Sequence, residues 1–137
     1  MANCKEMTMN IQWYPGHMEK TRRMMAETLK LCDVICEIVD ARIPRSSRNP
    51  VIAGLTEGKP KVMILNRVDQ ADPAETGKWA SYFRGEGYSV LETDCKSGKG
   101  LSRFNEVLRD AVSEKIKRYA DRRQTLTVRA IDRKSVV

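Results

Sequence analysis

A short apolar run at residues 61–69, K-V-M-I-L-N-R-V-D, constrains the fold of this chain more than any other segment. Its near-continuous apolar residues predict a parallel strand that is buried on both faces. Such a strand delivers Asn66 and Asp69 to its carboxyl end. Because ligands of open α/β sheets bind at that end, the run predicts both the fold class and the location of the site.

Asn66 and Asp69 stand at the spacing that guanine-reading sites use. The carboxylate of Asp69 can accept both N–H donors on one edge of guanine, as a fork that adenine cannot supply. The amide of Asn66 can pair with the other edge of the base. The alternative is a turn in which an Asx side chain caps the next helix. The strand context favours guanine recognition.

Strand and helix patterns alternate along the rest of the chain, which predicts an α/β fold with right-handed crossovers. Strands are predicted at 34–39, 62–65 and 88–91, and residues 124–137 can begin another. Helices are predicted at 17–31, 50–56, 72–84 and, as one long amphipathic helix, 101–122.

A second candidate loop, D-C-K-S-G-K-G-L at 94–101, lies between the third predicted strand and the last helix. Its glycines let the backbone turn, and exposed N–H groups there can hydrogen-bond a carbonyl oxygen of a base. A Gly-rich turn alone is weak support. It is stronger here because it follows N-R-V-D by one strand–helix unit, in the order that a guanine site requires.

The composition is that of an ordinary domain, and its positive charge is concentrated at one end. Apolar residues make up 41% and charged residues 31%, and no apolar run approaches the length of a membrane span. Residues 1–95 hold 13 basic and 13 acidic side chains, whereas residues 96–137 hold 12 and 5. The basic end suggests RNA as a partner, with a solvated helix face as the equal alternative. Nothing predicts a DNA sequence preference.

Four ordered blocks resemble the circularly permuted ribosome-assembly GTPases of the YlqF/RbgA type. They are I-Q-W-Y-P-G-H-M at 11–18, V-D-A-R-I-P-R-S-S-R-N-P at 39–50, N-R-V-D at 66–69 and D-C-K-S-G-K-G at 94–100. The resemblance covers about residues 10–131. It implies a partial P-loop-GTPase-like parallel sheet with flanking helices, in circularly permuted order and truncated. The three parts would be an N-terminal segment and helix (1–32), the base-recognition half of the G domain (33–122) and the start of the next strand (123–137).

The resemblance also implies roles for particular residues. His17 becomes the catalytic candidate, as a group that positions water; the alternative is a helix N-terminal residue without chemistry. Arg67 stands where the family has Lys, and its stem would cover the base. The residues implied in nucleotide binding are Asn66, Arg67, Asp69, Asp94, Cys95 and Lys96. The implied ligands are GTP and GDP, with Mg²⁺ only in a complete family protein and no metal ligands in this chain.

The family's phosphate loop, G-x-x-x-x-G-K-[ST], does not occur in these residues. Gly-Lys stands at 58–59, 77–78 and 98–99, and neither Ser nor Thr follows any of them. Three functions stay open: the guanine-reading portion of a cytoplasmic GTPase of large-subunit assembly, an RNA- or ribosome-binding module that works without nucleotide, and a truncated product without function. The four blocks that resemble the GTPase family favour the first of these functions.

We expect the 137-residue chain alone to bind nucleotide feebly and to hydrolyse no GTP. Phosphoryl transfer depends on backbone N–H groups, a Lys and Mg²⁺ that hold the phosphates, and the sequence offers none of the loop that supplies them. Release of phosphate from GTP, measured over a series of chain concentrations, checks this. Release that rises in proportion to the chain would contradict the expectation.

Overall fold

Within the residues that the structure describes, the sheet has four strands, all parallel. A computed structural model describes residues 16–122 and 124–134. The strands are β1 (Val34–Asp40), β2 (Lys61–Asn66), β3 (Ser89–Thr93) and β4 (Ala130–Lys134), in the order β3-β2-β1-β4. The helices are α1 (Gly16–Leu31), α2 (Pro50–Leu55), α3 (Pro73–Gly85), α4 (Phe104–Ala111) and α5 (Ser113–Asp121). The prediction of a parallel α/β sheet with flanking helices is confirmed.

Both faces of the central strands are covered, which explains the near-continuous apolar run. Successive side chains of a strand point to opposite faces. Val62 and Ile64 of β2 therefore pack in a core with α4 and α5. Met63 and Leu65 face the other way and pack against α3. The run thus serves two cores at once.

The segment predicted as one helix over 101–122 is three pieces. A 3-10 turn at Leu101–Arg103 leads into α4, and Val112 separates α4 from α5 with φ −107° and ψ 11°. Val112 is 1% exposed, so the chain bends where this side chain enters the core. The prediction of a single helix was wrong because the apolar spacing of Leu108, Val112 and Ile116 continues across the bend.

Asp33 ties the amino end of β1 to α5 and to the entry of β4. Its carboxylate accepts hydrogen bonds from the backbone N–H of Arg129, at 2.8 Å, and from the ammonium of Lys115. Burial raises the pKa of Asp33, but the hydrogen bonds from Lys115 and Arg129 outweigh burial and hold the pKa below its ordinary value. This contribution to stability is present above the unfolded pKa and is lost as the pH falls through the folded pKa.

A buried ion pair fixes the loop that follows β1. Glu37 lies in the middle of β1 and is 5% exposed. Arg48 donates to its carboxylate from Nε at 3.2 Å and from Nη2 at 3.3 Å, and to the hydroxyl of Tyr88 at 2.7 Å. The guanidinium also lies over the rings of Phe83 and Tyr88, 5.5 Å and 5.3 Å from their centres. Arg48 therefore has a structural role, whereas Arg45 of the same loop is exposed.

Replacing Arg48 by Ala should destabilise the fold by about 3 kcal/mol, because Glu37 would stay buried without its partner. Arg45→Ala is the matched control and should change the free energy of unfolding by less than about 0.5 kcal/mol. Urea unfolding of both variants measures the difference. Equal losses would contradict a structural role specific to Arg48.

Candidate nucleotide-binding site

Three polar side chains form a row at the carboxyl edge of the sheet. Asp40 ends β1 and pairs in register with Asn66 of β2, which pairs in turn with Thr93 of β3. The backbone also joins the first two strand ends, because the N–H of Ala41 donates to the carbonyl oxygen of Asn66 at 2.8 Å. Both loops singled out in the sequence therefore leave the sheet side by side.

Asn66 links the two loops through its side chain. Its Oδ1 accepts hydrogen bonds from the backbone N–H of Cys95 at 3.0 Å and from Oγ1 of Thr93 at 3.5 Å. Because a backbone N–H only donates, this bond assigns Oδ1 to the loop side and leaves the NH₂ group on the other. The orientation suits donation to a ring nitrogen of a bound base.

Arg67 gives the N-R-V-D turn its shape. Its φ of 64° is the only positive φ at a non-glycine residue in the described part of the chain. This left-handed backbone costs about 1–3 kcal/mol, and it leads directly into the 3-10 turn Val68–Gln70. Asp69, in the middle of that turn, is exposed to solvent. Nη1 of Arg67 lies 3.7 Å from Oδ2 of Asp40, so its charged end is directed to the end of β1.

The second loop closes on itself. The N–H of Asp94 donates to the carbonyl oxygen of Lys99 at 3.0 Å, and its carboxylate accepts from the N–H of Lys96 at 3.0 Å. A hydrogen bond from Ser97 outweighs burial and holds the pKa of Asp94 below its ordinary value. The N–H groups of Cys95 and Lys96 thus already donate to side-chain oxygens. A base carbonyl would have to replace one of those acceptors.

Three residues at this edge were not assigned to the site from the sequence: Thr93, Arg42 and Gln70. Thr93 sits in register with Asn66, and only the pairing of the strands reveals that neighbour. Arg42 donates to Asp40 and to Gln70. The D-A-R letters at 40–42 were part of a recognised block, so the sequence carried a signal at Arg42, whose basic loop predicted an RNA contact or a solvated surface and not a place in this site.

The structure describes the backbone but not the side chain of His17, the predicted catalytic residue. The backbone of His17 lies in the first turn of α1, and its side chain lies outside the described part of the structure. Within residues 16–122 and 124–134, no group of three or more His, Cys, Asp or Glu side chains could hold a metal ion. In the same ranges no helix is long and apolar enough to cross a membrane.

The sheet and its two loops define the class, a parallel α/β domain with polar loops at the carboxyl ends of its strands, and over most of its length this chain is similar to part of several known GTPases. Ribosome biogenesis GTPase A of Priestia megaterium is 46% identical over 110 residues, which are 80% of this chain and 38% of the relative. The protein of the same name from Bacillus pumilus is 44% identical over 110 residues, 80% and 39% of the two chains. Mitochondrial ribosome-associated GTPase 1 of Mus musculus is 39% identical over 94 residues, 68% and 29%.

Over most of its length the chain is homologous to part of the ribosome biogenesis GTPases, as the four blocks predicted, and it spans less than two fifths of the length of the bacterial relatives above. A crystal structure of GNP-bound YlqF from T. maritima aligns with a TM-score of 0.44 and 29% identity, over 61% of this chain and 37% of that one. No protein-family model matches the chain.

Gly100 should be the least replaceable glycine of the second loop. Its φ is +84°, and an added Cβ would lie 2.2 Å from the carbonyl oxygen of Glu92 in β3. Gly98 has a similar φ of +80° with nothing within 4 Å of such a Cβ, so it is a matched control. Gly98→Ala should cost about 1 kcal/mol through the backbone alone, and Gly100→Ala clearly more. Thermal unfolding measures both, and equal costs would argue against the close approach to β3.

Proposed function

We propose that this chain is the guanine-reading portion of a GTP-binding protein that acts in assembly of the large ribosomal subunit. One observation carries the proposal: the hydrogen bond from the Cys95 N–H to Asn66 Oδ1, which orients the amide at the end of the strand that leads into the turn with the exposed Asp69. The names of the relatives, ribosome biogenesis GTPase A and mitochondrial ribosome-associated GTPase 1, support the same function.

Each polar group of the site has a proposed task toward the base. The carboxylate of Asp69 accepts two N–H donors of guanine, and the NH₂ of Asn66 donates to a ring nitrogen on the other edge. The stem of Arg67 covers the face of the base. The loop formed by Asp94, Cys95 and Lys96 lies along its carbonyl side, where a backbone N–H exchanges its present acceptor for the base oxygen.

Groups that act on the phosphates are proposed for the whole protein only. His17 is the proposed water-positioning residue, on the strength of the P-G-H-M block. Mg²⁺ would neutralise phosphate charge, and the described residues offer no cluster that fits it. The chain alone is accordingly proposed as a base reader without hydrolytic activity.

The proposed partner is ribosomal RNA in the cytoplasm, and the basic end of the chain supports it. Five of its 12 cations are exposed in or directly beside the last two helices, at Arg103, Arg109, Lys117, Arg118 and Arg122. This observation also favours the second candidate function, RNA binding without nucleotide. RNA binding that weakens steeply with salt and ignores GDP would support that second function.

Asp69→Asn tests base reading directly. The substitution removes the charge-assisted fork, so GDP affinity should fall roughly 10- to 100-fold. Affinity for xanthosine diphosphate should rise, because xanthine offers a carbonyl where guanine has its amino group, and an Asn NH₂ can donate to it. Chemical-shift titrations with both nucleotides measure the change.

Asp72→Asn is the control for the change of charge. Asp72 caps α3 by accepting from the N–H groups of Ala74 and Glu75, and Asn serves nearly as well at that position. The control should leave the GDP preference unchanged. An unaltered preference in Asp69→Asn would count against the proposed base reader.

A further inference from the structure

The guanidinium of Arg42 is paired with the carboxylate of Asp40 at the end of β1. Its Nε donates to Oδ1 of Asp40 at 3.0 Å and its Nη2 donates to Oδ2 at 2.7 Å. The backbone N–H of Arg42 donates to the same Oδ1 at 3.0 Å. Two parallel bonds of this kind fix a guanidinium in orientation as well as in position.

The third nitrogen of this group reaches the turn that carries Asp69. Nη1 of Arg42 donates to Oε1 of Gln70 at 3.2 Å. Gln70 is the last residue of the 3-10 turn, and no residue of that turn is buried. The side-chain contacts from Asp40 through Arg42 to Gln70, here called the clamp, therefore tie this turn to a strand end.

Asp40 also pairs with two arginines near the turn that carries Asp69. Arg42 is bound to the Asp40 carboxylate, and Nη1 of Arg67 lies 3.7 Å from it. The hydrogen bonds from Arg42 hold the pKa of Asp40 below its ordinary value, so Asp40 is an anion at neutral pH. Within the described residues no cation lies within 4 Å of the Asp69 carboxylate, which leaves its oxygens available.

We propose that Arg42 is a positioning residue for guanine recognition, which holds the turn through the clamp so that Asp69 presents both oxygens to one base edge. The inference rests on the proposed function, because it assigns a supporting group to the same site. It gives the D-A-R letters at 40–42 a role that no part of the site assignment had supplied. Arg42 itself makes no contact with the base in this proposal.

Comparison of the affinities for GDP and inosine diphosphate measures the alignment of the Asp69 carboxylate, which the clamp controls in this proposal. Inosine has the ring N–H of guanine and lacks its amino group, so Asp69 can make only one of the two hydrogen bonds. The ratio of the two affinities therefore measures how well the fork is aligned. A displaced turn lowers this ratio, whereas a general loss of binding lowers both affinities together and leaves the ratio unchanged.

The test is a set of chemical-shift titrations on the 137-residue chain, which measure dissociation constants in the millimolar range. Arg42→Ala should lower the GDP-to-inosine-diphosphate preference about tenfold, the equivalent of one hydrogen bond to a charged group. Arg45→Ala, an exposed arginine of the same loop, is the matched control and should keep the preference. Backbone spectra establish that each variant is folded.

Arg42→Lys separates geometry from charge. Lys keeps the charge but cannot reach Asp40 with two nitrogens and Gln70 with a third. It should therefore lose the preference as Ala does, and full rescue by Lys would overturn the clamp. A preference that is unchanged in Arg42→Ala would also overturn it while leaving the proposed function intact. An original chain that binds GDP and ADP alike would sink the proposed function and the clamp with it.

Discussion

The register of three parallel strands is the constraint on which the candidate site depends. Pairing aligns Asp40, Asn66 and Thr93 in one row, although 26 or 27 residues of chain separate neighbours in that row. A slip of one residue would turn each side chain to the opposite face of the sheet. The two buried cores forbid such a slip, because Val62 and Met63 would then exchange faces. The same burial that stabilises the domain therefore sets the alignment of its polar edge.

The loop after β1 connects this edge to the core through two arginines with different surroundings. Arg48 turns inward, where Glu37 and the rings of Phe83 and Tyr88 hold it. Arg42 turns toward the strand ends and pairs with Asp40. The buried pair of Arg48 and Glu37 thus fixes the position of the loop. The pair of Arg42 and Asp40 lies at the edge of the sheet, where Arg42 also contacts the turn that bears Asp69. Within seven residues of one loop, Arg48 contacts the core and Arg42 contacts the edge of the sheet where the candidate site lies.

The sequence predicts the elements of this fold well, since apolar spacing reports burial. The strand at 61–66, the cap at Asp72 and the order of the loops all follow from local patterns. Contacts between distant residues have no such local signal. The bend at Val112, the partner of Glu37 and the bond from Arg42 to Gln70 each depend on three-dimensional neighbours. Arg42 and Arg48 have the same side chain in one loop, and only their three-dimensional neighbours distinguish them.

The hydrogen bonds within the second loop bear on where base specificity would arise in the proposed site. The N–H groups of Cys95 and Lys96 already donate to Asn66 and Asp94. A base carbonyl that takes one of these N–H groups exchanges one acceptor for another, and such an exchange contributes little net free energy. The carboxylate of Asp69 faces solvent and gives up only water when it binds N–H donors. Discrimination between bases would therefore rest on Asp69 and on what holds its turn, more than on the amides of the glycine-rich loop.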